Sequence, residues 1–100
     1  MIPVEYEIRR TPRFEQDFRS LDFPCIERHV RAVTWAHHRG QKPHPEVPTL
    51  HTQSGGTLYV YKTLRILNCP AAVILFELAS NPRELILHGV RLETTRAYDN

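Results

Sequence analysis

The sequence predicts an α+β domain: a strand, two helices, then three or more strands. Three observations carry that reading. "VEYEIRR", residues 4–10, alternates apolar and charged residues with the period of a half-buried strand. Residues 11–39 then repeat apolar side chains at helical spacing, interrupted once by Pro24. From residue 57 onward the chain returns to β-rich runs separated by turn signals.

In the first strand Val4, Tyr6 and Ile8 are expected on one face, with Glu5, Glu7 and Arg9 on the other. "TPRFEQDFRSL" starts the first helix. Thr11 suits the N-cap and Pro12 the first helical position. Phe14, Phe18 and Leu21 fall at i, i+4 and i+7 and line one face. Pro24 ends this helix and permits another to begin. From Cys25 to Arg39, Ile26, Val30, Val33 and His37 repeat at helical spacing, and Gly40 is the expected stop. With about two residues between them, the helices are expected to form an antiparallel hairpin. Phe14, Phe18, Leu21, Ile26, Val30 and Val33 should pack it onto one face of the sheet.

"QKPHPEVPTLHTQSGG", residues 41–56, holds three prolines and two glycines and reads as an irregular connection, with Leu50 anchoring its middle to the core. "TLYVYKTL" alternates Leu58, Val60 and Lys62 against Tyr59, Tyr61 and Thr63. "AAVILFELA" is a continuous apolar run, as in a central strand covered on both faces. "SNPRE" is a turn, and "LILHGVRLE" is the returning strand.

One hundred residues make one domain, residues 1–100. Hydrophobic residues are 41% and charged residues 24%, ordinary for a globular domain. No run approaches a membrane span, and "MIPVEYEIRR" lacks the pattern of a signal peptide. Cytoplasmic residence is the expectation. Cys25 and Cys69 show no ligand spacing, and two buried free thiols are expected, with a disulfide left open. The net charge is only +2, which excludes a large basic tail, and eleven of the thirteen basic residues are arginine, whose planar fork suits phosphate.

The order of elements resembles the RelE/ParE toxin superfamily of bacterial type II toxin–antitoxin modules, with the HigB-like branch nearest. "YEIRRTPRFEQDFRSL" is similar to the family's opening strand and first helix. "TLHTQSGGTLYVYKTLR" is similar to its leucine, glycine and aromatic strand carrying a basic residue. "LILHGVRLETTR" resembles the branch's hydrophobic–His–Gly–Phe strand with a basic tract and threonine. His88, Gly89 and Thr94 fall on that pattern, and Arg96 falls near a basic position. The resemblance implies a small, twisted, mainly antiparallel sheet packed against an N-terminal α-hairpin. It implies a toxin, an mRNA interferase acting at the ribosome, with a cognate antitoxin as partner. The alternatives are a ParE-like inhibitor of DNA gyrase and a degenerate binding protein of the same fold. Two departures bear on this choice. Leu92 and Glu93 stand where HigB-like chains commonly carry paired lysines, and "CPAAVILF" lacks the arginine that often opens the central strand.

Cleavage of RNA through its own 2′-hydroxyl requires a proton acceptor, cations near the phosphate and an acid for the leaving oxygen. His88, Arg91, Arg65 and Tyr98 are the candidate catalytic residues. Lys62, Arg96 and His51 are candidates for RNA contact. Each has a structural alternative: His88 as a satisfied strand histidine, Lys62 and Arg65 as solvated residues, Tyr59 and Tyr61 as cross-strand packing. His37 and His38 suit a helix C-terminus. His44 and His51 lack zinc-ligand spacing. No cofactor, metal or membrane is expected. His88 and Arg91 are three residues apart and so face opposite sides of a regular strand. A bulge at Gly89 would bring them to one side.

Overall fold

Thr11 ends the first strand and begins the first helix, and this junction ties the helical layer to the sheet. A computed structural model describes residues 5–38, 43–52, 56–80 and 82–93. Its elements are β1 (Glu7–Arg10), α1 (Pro12–Leu21), α2 (Ile26–His38), β2 (Thr49–His51), β3 (Thr57–Lys62), β4 (Ala72–Ser80) and β5 (Arg83–Leu92). The Thr11 hydroxyl accepts from the Phe14 amide at 3.2 Å and donates to the Leu87 carbonyl at 3.0 Å. The Thr11 amide donates to the same carbonyl at 3.1 Å. Pro12 follows as the first helical residue, and Asp22 closes α1 in the left-handed conformation, φ 57°, which a short polar side chain tolerates.

The five strands form one mixed sheet in the order β1-β5-β4-β3-β2. β2–β3, β3–β4 and β4–β5 pair antiparallel, whereas β1 pairs parallel with β5. Three of the four pairings are antiparallel, in line with the mainly antiparallel sheet that the resemblance implies. The parallel neighbour is a long-range pairing that local pattern does not encode.

Both helices lie on one face of the sheet. Phe14, Ile26, Val30 and Val33 pack there against Ile74, Phe76, Leu85, Leu87 and Val90. Full burial of each such side chain contributes roughly 1.5–3 kcal/mol. Phe18 and Leu21 pack at the margin, half-buried. α1 runs along β5 while α2 reaches β1, β4 and β5, so each helix packs on the sheet more than on the other. The link between them spans residues 22–25, longer than the expected two.

β1 is shorter and more exposed than its alternation suggests. Ile8 is 44% exposed because β1 is an edge strand with a neighbour on one side alone, β5. Tyr6 still packs on the core margin, and Val4 lies outside the described residues. β1 pairing with β5 ends at Arg10↔Leu87. Beyond that point α1 takes over the edge: the Val90 amide donates to Asp17 Oδ2 at 3.4 Å. A side-chain carboxylate thus occupies an edge donor that would otherwise invite another strand.

Two expectations are corrected. Residues 49–51 form a strand rather than irregular chain, and Leu50 is 54% exposed rather than an anchor. Proline is tolerated here because Pro48 precedes the strand and contributes only its carbonyl, which accepts from the Val60 amide at 2.9 Å. Cys25 and Cys69 are not free thiols. They form a disulfide with Cα atoms 5.8 Å apart, closing 44 residues of sequence separation. The turn before α2 packs over the β3–β4 connection, where the His29 ring Nε2 meets the Pro70 carbonyl at 3.0 Å.

Candidate functional site

A one-residue bulge in β5 assembles the site. Phe76 pairs with Leu87 and Leu75 pairs with Gly89, so His88 has no residue opposite it. Leu87 and Val90, three residues apart, consequently both join the helix-side core. His88 and Arg91 are turned together to the other face of the sheet. Gly89 makes the arrangement possible, because a Cβ there would stand 3.1 Å from Asp17 Oδ2 and 3.5 Å from Leu75 Cδ1. The absent side chain lets α1 approach the bulge closely.

At the β5 edge of this face, where α1 takes over from β1, a pocket of about 390 Å³ lies between the first turns of α1 and the sheet. Arg13, Asp17, Leu58, Leu75, His88 and Arg91 contribute to its lining. His88 Nε2 lies 2.9 Å from Glu77 Oε1, with the two side chains 34% and 25% exposed. With a neutral ring this contact assigns the proton to Nε2, which donates to the carboxylate, and leaves Nδ1 as an acceptor. A histidine oriented by a carboxylate in this way is equipped to take and return a proton. Asp17 and Glu77 are engaged with Val90 and His88. Arg13, Arg91 and Lys62 make no ion pair among the described residues and remain available to an anion. The α1 N-terminus adds partial positive charge at the same rim.

The sequence-predicted residues divide into three groups. His88 and Arg91 meet in the pocket, and Lys62 shares their face, in a row across three strands where Lys62 pairs Val73 and Val73 pairs Arg91. Arg65 and His51 do not join them. Arg65 lies on the exposed β3–β4 connection, where its Nε donates to the Leu67 carbonyl at 3.4 Å, and it is not part of the pocket lining. His51 pairs with Thr57, on the face that carries Tyr59 and the helices. Tyr98, Arg96 and Thr94 lie outside the described residues. Tyr59 stacks on Phe76 with centroids 5.3 Å apart, and His37 stacks on the same ring at 5.2 Å. Both are packing residues of the helix-side core.

Sequence reasoning missed Glu77, Arg13 and Asp17. The signal for Glu77 was present: it is the one charged residue in the apolar run of residues 71–79. Arg13 and Asp17 carry no such mark, because their approach to β5 depends on where α1 docks.

Among the described residues no group of three or more His, Cys, Asp or Glu is arranged to hold a metal ion, and no helix is long and apolar enough to cross a membrane. No family model matches the chain, and no curated protein matches it. The fold and site define a small α+β domain whose mixed sheet carries helices on one face and, on the other, a His–Glu pair with Arg91 and Lys62, which make no ion pair among the described residues.

Proposed function

We propose that the chain is the toxin component of a bacterial type II toxin–antitoxin module of the RelE/ParE superfamily, nearest its HigB-like branch, and that it acts as a ribosome-dependent mRNA interferase in the cytoplasm. The observation that carries this reading is His88, held 2.9 Å from Glu77 and turned by the bulge to the same pocket as Arg91. In this account His88 Nδ1 accepts the proton of a message 2′-hydroxyl as that oxygen attacks the adjacent phosphorus. The bond to the 5′ oxygen breaks, and that oxygen takes up a proton as it leaves. Arg91 and Arg13 stabilise the charge on the phosphorane oxygens. Lys62 and Arg96 serve the flanking phosphates, and Tyr98 is the candidate acid for the leaving oxygen. The cognate antitoxin neutralises the toxin by covering the sheet around its C-terminal strand.

One observation favours the gyrase-inhibitor reading. Asp17 and Glu77 place two carboxylates beside the cations, and Leu92 and Glu93 replace the family's paired lysines, which together weaken attraction for phosphate. Inducible expression with and without the adjacent reading frame, followed by mapping of message ends, separates the two. New ends within messages in arrested cells support the nuclease. Arrest with intact messages and DNA damage supports gyrase. Normal growth refutes both.

A further inference from the structure

We propose that Cys25–Cys69 is a thiol-exchange site, opened by low-molecular-weight thiols carrying carboxylates, and that it latches the β3–β4 connection to the start of α2. This inference is independent of the nuclease reading. The disulfide lies at the floor of an open pocket of about 570 Å³ on the side of the fold formed by the α1–α2 link and the β3–β4 connection. Phe23, Pro24, Arg28, Ile66, Leu67 and Asn68 form its walls. Cys69 is 7% exposed and Cys25 is partly exposed, so Cys25 is the more open half of the bond and the half on which attack is proposed. Arg28, itself exposed at the rim, supplies the charge that draws an anionic thiol.

The chemistry closes without an added oxidant. The incoming thiolate attacks Cys25 Sγ, the Cys25–Cys69 bond breaks, and Cys69 leaves as a thiolate and takes a proton. A second thiolate attacks the outer sulfur of the mixed disulfide and releases Cys25 as a thiolate at the start of α2, where the helix and Arg28 favour negative charge. The two external thiols become a disulfide, and their two protons end on Cys25 and Cys69. External disulfide drives the reverse sequence.

The connection has little else to hold it down. Leu64, Ile66 and Leu67 are 83%, 54% and 84% exposed. Leu67 sits at φ 52°, in a region that a bulky side chain rarely adopts. The Ile66 and Cys69 amides each donate to the other's carbonyl, at 3.1 and 2.8 Å. A polar link from this connection to α2 runs from the His29 ring Nε2 to the Pro70 carbonyl. Opening the disulfide therefore frees the tip while Thr63 and Ala72 keep the hairpin base paired at 2.9 Å.

The test incubates the oxidised full-length chain with graded ratios of reduced glutathione to glutathione disulfide. Thiol titration and hydrogen exchange are read together. The expected result is release of two thiols with amide protection abolished at residues 64–69 while β4 and β5 stay folded and protected, their protection lowered only by the global stability the cross-link contributes, reversed when glutathione disulfide is restored. Cys69→Ser should show the loosened tip at every ratio. Three results overturn the proposal: thiols that appear only as β4 and β5 unfold and lose protection altogether, cysteines that stay reduced or stay bonded at all ratios, or a Cys69→Ser tip as protected as the oxidised parent's.

Discussion

Replacing Thr11 tests whether the junction described above fixes α1 on β5. Thr11→Ala removes two bonds at once. The first is the cap on the Phe14 amide, and losing an N-cap threonine costs about 0.5–2 kcal/mol. The second is the hydroxyl bond to the Leu87 carbonyl, worth about 0.5–1.5 kcal/mol net. The second falls toward its lower end, because the Thr11 amide still serves that carbonyl. The sum is about 1–2.5 kcal/mol, a measurable share of the roughly 5–15 kcal/mol that stabilises a domain. Thr11→Ser keeps the hydroxyl and should lie within about 0.5 kcal/mol of the parent. Urea melts should show a lower midpoint for Thr11→Ala at an unchanged slope. A loss under about 0.5 kcal/mol, or equal loss from serine and alanine, would show that the hydroxyl does not join helix to sheet.

Phe14→Ala should cost about 3–5 kcal/mol, since Phe14 is fully buried, and Phe18→Ala clearly less, since Phe18 is only partly buried at the core margin; equilibrium melts that reverse this order would misplace the core. Cys25→Ser should lower stability of the oxidised protein by about 4 kcal/mol for a 44-residue separation, judged by melts with and without reductant. A parent insensitive to reductant would count against the cross-link. Glu27→Gln should remove about 1 kcal/mol through its 2.6 Å bond to Arg10, discounted because both side chains are nearly a third exposed. The loss should shrink with added salt, and a salt-independent difference would point to packing instead.

The features legible in the sequence are those that local rules encode. Thr11 and Pro12 announced the start of α1, and the spacing of Phe14, Ile26, Val30 and Val33 announced the face both helices bury. Gly89 within an apolar strand marked the bulge that places His88 beside Arg91. What stayed hidden depends on chain segments meeting across long separations. The parallel neighbour of β5 could not be seen in β1 alone. The disulfide needed the α1–α2 link to fold over residue 69. β2 was masked by three prolines that lie before its ladder rather than in it. Glu77 was hidden by its apolar neighbours, although a charge in a central strand needs a partner, and His88 is that partner.

The most direct test of the central claim is cleavage of a defined message by purified protein on translating ribosomes, with 5′ ends mapped for the parent, His88→Ala and Arg91→Ala at equal concentration. The account predicts discrete cuts by the parent, a fall of about 10²–10⁴-fold for His88→Ala, a loss of about 10²–10³-fold for Arg91→Ala, and thermal stability close to the parent's for Arg91→Ala; His88→Ala also deprives Glu77 of its partner and is compared at a temperature where it stays folded. Cleavage by either variant at the parent's rate, or growth arrest by the parent without any cleavage, would contradict it.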